Sequence, residues 1–229
     1  MSITKALIKG LMSSAALLLF ATPTFAAIDP NEVTGSTDGL GATSHGHITI
    51  TPGDETTGPT DPIFPSEPGG ETGNEGSLTI DNVSPLEFDT HQLASGAVEY
   101  TTTSIDPNVQ VTDKRGTGVG WALQVATSPF TDQTDSNKIL KGAIVTLPIG
   151  AAETNPGNVS PPPELREVQL GTDSGTTNPQ ILMRADVNTG LGTWVDKLDP
   201  SSIKISVPSG NLAGDYVSTL TWSLVDAPQ

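Results

Sequence analysis

The sequence predicts an all-β fold: an antiparallel β-sandwich domain over residues 77–229, preceded by a signal peptide at 1–26 and a disordered acidic linker at 27–76. Three observations carry that class. Beyond Ser77, short runs of alternating apolar and polar residues recur, each closed by Gly, Pro, Asn or Asp, the pattern of half-buried strands joined by turns. No segment after the leader repeats its apolar residues at the helical period of 3.6. The strongest run closes the sequence, from Tyr216 to Val225: Tyr216, Leu220, Trp222 and Leu224 share one face, and Val217, Thr219, Thr221, Ser223 and Val225 share the other.

In chain order, Met1 to Lys9 carries Lys5 and Lys9, Leu11 to Phe20 is apolar, and Thr24-Phe25-Ala26 offers small residues at a cleavage site. That is the build of an export signal. The apolar run is interrupted by Pro23 and is shorter than the ~20 residues a membrane-spanning helix needs, so the mature chain is expected to begin at Ala27. From there to residue 76 the composition is Gly, Thr, Pro, Ser and acid, with no Lys or Arg. Such a segment offers too little apolar area to offset the entropy of ordering it, and reads as an extended spacer. Ile48 and Ile50, flanked by Thr, are its one strand-like or docking-segment signal.

The expected strands of the domain are Leu78 to Ile80, Ala97 to Thr103, Val109 to Asp113, Val119 to Val125, Ile139 to Leu147, Glu167 to Leu170, Ile181 to Met183, Ile203 to Val207 and the terminal run. Residues 151–163, with Asn155-Pro156-Gly157 and Pro161-Pro162-Pro163, are excluded from a central strand because proline cannot donate to a ladder. Residues 186–193 read as a glycine-bearing turn leading into Trp194.

Composition excludes several functions. There is no cysteine, so an exported domain has to be held by its core without disulfides. Formal net charge is −16, and loss of Lys5 and Lys9 with the signal takes it two further, to −18. Nucleic acid is not expected as a partner, since phosphate recognition needs a basic stripe. His45-Gly46-His47 supplies two imidazoles on a flexible stretch, short of the three or four ordered ligands of a zinc site, so no metal is expected. His91 is the sole histidine of the domain, no Gly-x-Ser-x-Gly elbow is present, and no pair of carboxylates is singled out. No catalytic residue or cofactor is therefore assigned, and the chain does not read as an enzyme.

Binding is then the natural role, with aromatic side chains as its instruments. Trp121 and Leu123 share one face of their strand, as Trp222 and Leu224 do about a hundred residues later. An aromatic within an alternating row more often buries on the inner face of a sandwich than contacts ligand, so both tryptophans read as core first. Trp194 follows a glycine turn instead of an alternating row and is the candidate surface aromatic.

The paired motifs, Gly116-Thr117-Gly118-Val119-Gly120-Trp121-Ala122-Leu123 and Tyr216-Val217-Ser218-Thr219-Leu220-Thr221-Trp222-Ser223-Leu224 with Asp226-Ala227-Pro228, resemble the two signatures of the WxL domain family of Gram-positive bacterial surface proteins. Gly190-Leu191-Gly192-Thr193-Trp194 and Val207-Pro208-Ser209-Gly210 resemble that family's run-up to the second motif. The resemblance covers residues 77–229 and the signal peptide. It implies a secreted protein attached non-covalently to the cell wall, with peptidoglycan as ligand and a membrane-anchored WxL-interacting protein as a further partner. It makes Trp121, Leu123, Tyr216, Leu220, Trp222 and Leu224 the motif residues, whether structural or wall-binding. Non-covalent attachment also fits the lack of an LPxTG-type sorting signal and of a hydrophobic tail before Gln229. A host extracellular-matrix adhesin and a polysaccharide-binding accessory of an exported complex are the alternative readings.

Overall fold

A computed structural model describes residues 28–226; the expected signal peptide lies outside the described residues, as do residues 227–229. The chain divides into two units, 1–50 and 51–229. In the first, residues 28–50 are exposed throughout and hold one small hairpin, β1 (Thr34–Gly35) with β2 (Ala42–Thr43). His45 and His47 are exposed here.

The second unit is all-β and antiparallel, with one short 3-10 turn at Pro200–Ser202. Its strands are β3 (Leu78–Val83), β4 (Val98–Thr101), β5 (Asn108–Asp113), β6 (Trp121–Thr127), β7 (Thr131–Asp132), β8 (Ile144–Leu147), β9 (Ala151–Thr154), β10 (Glu164–Leu165), β11 (Val168–Leu170), β12 (Gln180–Ala185), β13 (Gly192–Lys197), β14 (Lys204–Val207), β15 (Tyr216–Val217) and β16 (Leu220–Val225). Twelve of them form three four-stranded sheets: sheet I in the order β3-β5-β13-β9, sheet II in the order β10-β12-β6-β16, and sheet III in the order β11-β8-β14-β4. All three feed one core, with Val109, Val111 and Trp194 from sheet I, Trp121, Leu123, Leu182 and Met183 from sheet II, and Val145, Leu147, Leu170 and Ile205 from sheet III. The sandwich is thus built from three inner faces.

Two differences from the expected layout stand out, the first because alternation reports one buried face only. In β5, Val109 and Val111 take the core side as expected, but Asn108, Gln110 and Thr112 are buried too. Their cover is the segment expected to be spacer. Residues 51–72 lie along β5 and β3: Gly53 donates to Lys114 O (2.8 Å), Ile63 to Gln110 Oε1 (2.7 Å), and Thr72 to Asp81 O (2.9 Å). Gln110 Nε2 donates back to Asp61 O (3.1 Å), and Asn108 Nδ2 to Phe64 O (2.8 Å). The linker reading of 27–76 is therefore corrected over 51–72. The strap is held by backbone hydrogen bonds and by the buried amide side chains of Gln110 and Asn108, which composition cannot report. Beneath it Asp81 accepts from Thr79 (2.6 Å), Gln110 (3.0 Å) and Thr112 (2.6 Å), so the buried carboxylate is fully partnered.

The second difference is β13, expected as the exit of a turn and found as a central strand of sheet I. β9, within the proline-bearing stretch, is the sheet's edge strand, the position such a stretch tolerates.

Candidate functional site

The two Trp-x-Leu motifs are neighbours. β16 pairs with β6 antiparallel and in unbroken register, with Leu224 opposite Leu123 and Trp222 opposite Val125. Their ends are tied by Arg115, which grips Asp113 through Nε (3.0 Å) and Nη2 (2.8 Å), donates to Gly120 O (2.9 Å), and reaches Asp226 through Nη1. Asp226 follows the last residue of β16 and Gly120 precedes the first of β6, so one guanidinium closes the open end of the pair.

The residues of the pair do different work. Trp121 is fully buried, and its indole N–H donates to Gly190 O (3.1 Å). Gly190 has φ +67°, and a Cβ there would stand 2.5 Å from Ala185 Cβ and 3.1 Å from Trp121 Nε1. The first motif and the Gly-x-Gly turn thus form one packed unit, with glycine required for closeness and for φ. Leu123 is fully buried beside it. Trp194, the candidate surface aromatic, is instead 5 % exposed and donates to Leu191 O (3.0 Å). The correction follows from β13: a residue after a turn gained the alternation of a central strand, and its ring fell on the core side.

Trp222 differs from both. It is half-buried, as are Leu220, Leu224 and Tyr216. Trp222, Leu220 and Tyr216 line a cleft of about 1370 Å³, which β4 and β14 of sheet III and the loops 84–97 and 208–218 also line. There Tyr100 of β4 stacks on His91 (ring centroids 3.7 Å apart, planes 10° apart), while His91 Nε2 lies 2.6 Å from Phe88 O. Phe88 and Phe130 add two more half-buried rings, and Leu93, Leu212 and Val217 stand exposed at the rim. Tyr216 is fixed by its hydroxyl, which donates to Leu212 O (2.8 Å), and by the Lys138 ammonium 5.4 Å from its ring centroid. Lys138 in turn donates to Asp132 (2.8 Å), and with Thr134 holds that carboxyl well below the ordinary range.

Charge in the cleft has one sign. Glu87, Asp89 and Asp215 line it, and no Lys or Arg does. Among the described residues no group of three or more His, Cys, Asp or Glu is placed to hold a metal. What the surface can do chemically is stack on and dehydrate an apolar or ring-bearing ligand, and favour one that is neutral or cationic. Phe88, His91, Tyr100 and Phe130 were not among the motif residues. Their signal in the sequence was weak: Phe88, His91 and Phe130 are single rings in turn-rich stretches, and Tyr100 is the one ring of a short strand.

No curated protein and no solved structure shows a significant match to the chain. A family model does, over residues 37–228, a span that takes in both Trp-x-Leu strands, the Gly190 turn and every residue of the cleft. By that match, the chain belongs to the family described as WxL domain surface cell wall-binding.

Proposed function

We propose that this chain is exported by its 1–26 leader and held non-covalently at a Gram-positive cell wall by its 51–226 unit, which grips peptidoglycan or a membrane-anchored protein displayed there. The observation that carries the reading is the family match over 37–228. The cleft supports it physically. It is a large concavity in which half-buried aromatic rings, Trp222 of the second motif among them, stay reachable, and such rings are common anchors of binding energy. The fully buried Trp121 belongs to the scaffold instead. The division of labour is then that the first motif builds the sheet and the second presents its outer strand.

The test is sedimentation of the mature chain, from Ala27, with isolated walls and with peptidoglycan stripped of protein, for wild type, Trp222→Ala and Tyr216→Ala, with circular dichroism as the check on folding. Folded variants that no longer pellet place the contact in the cleft. A folded wild type that pellets with neither preparation, nor binds the partner's ectodomain, removes the wall reading altogether.

A further inference from the structure

The outer edge of β16 is built to accept another strand. β16 pairs with β6 alone, and among the described residues no strand pairs with its other side. Which residues face that side follows from the ladder. Thr127, opposite Leu220, exchanges hydrogen bonds with Thr177 on the far side of β6 (both 2.9 Å), while Ser128 donates to Thr219 O (3.0 Å). In an antiparallel pair these roles alternate. Thr221 and Ser223 therefore bond β6, and Leu220, Trp222 and Leu224 turn their N–H and C=O groups away from it.

Natural sheets defend such an edge with lysine, proline, a bulge or a covering loop. β16 lacks the first three: Leu220 to Val225 is uncharged and proline-free and its pairing with β6 shows no bulge; among the described residues no loop backbone bonds Leu220, Trp222 or Leu224. The same three residues that offer the backbone also carry the half-buried side chains packed on the core. An incoming strand that paired with them would lay its own alternate side chains beside Leu220 and Trp222, over the cleft, with Val217 and Leu212 exposed at the rim.

We propose that the occupant of this edge is an extended segment of a second, different polypeptide, with apolar residues at alternate positions and lysine or arginine at its ends. Charge decides against a second copy of this chain. Glu87, Asp89 and Asp215 line the cleft beside the edge and no Lys or Arg does, and the whole chain is at −16, so self-pairing brings like charges together. Strand addition is a general mode of peptide recognition, in which the backbone gives affinity and alternate pockets give selectivity. The proposal rests on the wall-attachment reading for its context, and specifies which kind of wall-associated molecule meets β16.

The probe is a short synthetic peptide of alternating valine and threonine with lysines at both ends, compared with its glutamate counterpart and with a soluble muropeptide. Amide hydrogen exchange of the mature chain is the readout. The lysine peptide is expected to slow exchange at Leu220, Trp222 and Leu224 by about tenfold or more, and the glutamate peptide and muropeptide are expected to leave these amides unchanged. Leu220→Pro removes an outward N–H and leaves the β6 ladder whole, so it should abolish the effect. Leu220→Ala keeps the N–H and loses only side-chain contact, so protection at Trp222 and Leu224 should weaken but persist; Leu224→Pro with Leu224→Ala replaces this pair if Leu220→Pro does not fold. Absence of protection by the lysine peptide overturns the proposal, as does equal protection by the glutamate peptide or protection by the muropeptide. Protection without any peptide, accompanied by dimers in sedimentation, gives the edge to a second copy and also overturns it. If protease-stripped walls pellet wild type and Leu220→Pro alike while the peptide fails, wall attachment stands and strand addition falls. If the peptide binds and no wall preparation pellets the protein, the reverse holds.

Discussion

Asp196 makes the most quantitative prediction. It lies on β13, two residues after Trp194 and on the same face, opposite Val109 of β5 and Ala152 of β9. The residue is fully buried and neither carboxyl oxygen has a hydrogen-bond partner. Burial pushes it up from 3.8 to about 7, and the nearby Gly150 amide, which falls short of a full hydrogen bond, offsets this only in part. A carboxyl whose folded value is raised binds its proton more tightly in the native state. Its contribution is fully present below the unfolded value, near 4, and is lost as pH rises toward 7. At ~1.4 kcal/mol per tenfold change, that interval is about 4 kcal/mol, a large share of the ~5–15 kcal/mol that typically holds a domain together. Asp196→Asn keeps the shape and removes the titration. The stability of the variant relative to wild type, from urea unfolding followed by tryptophan fluorescence, should therefore rise by about 4 kcal/mol between pH 4 and pH 8. The difference isolates Asp196, because the exposed carboxylates titrate alike in both proteins. A difference that stays flat across that range would refute the reasoning, whatever its absolute value.

Four further substitutions separate scaffold from surface. Trp121→Ala should cost about 3–5 kcal/mol, the usual range for emptying a core aromatic, and Trp222→Ala, half-buried, about 1–2 kcal/mol; thermal unfolding that ranks them the other way would reverse their assigned roles. Gly190→Ala meets Ala185 Cβ at 2.5 Å with φ at +67° and should cost about 2 kcal/mol or more, with a red-shifted tryptophan emission as the packing around Trp121 loosens. Gln110→Ala removes the partner of Ile63 N–H, of Asp61 O and of Asp81. It should cost about 2–3 kcal/mol, and limited proteolysis should cut between residues 51 and 66 faster than in wild type.

Where the sequence spoke clearly, it did so through one-sided patterns. β6 and β16 were legible because Trp121/Leu123 and Leu220/Trp222/Leu224 alternate without interruption, and their recurrence marked them as a pair. The covered face of β5 was not legible. Asn108, Gln110 and Thr112 have the composition of a solvent face, and only the strap's backbone, donating and accepting at Gln110, makes them interior. β13 was hidden because Gly190 and Gly192 mark a turn, while the buried polar residues Thr193 and Asp196 break the apolar alternation expected of a strand.

The sequence alone therefore determined the class of fold, the two Trp-x-Leu strands and the family they signal, since each rests on local periodicity or on residues contiguous in the chain. Tertiary structure decided which tryptophan is which. Trp121 and Trp194 are sealed under strands distant in sequence, and Trp222, in an equally regular row, is left half open because its strand ends the sheet. Burial at a given residue depends on what comes to lie across from it, and that is fixed by the packing of three sheets.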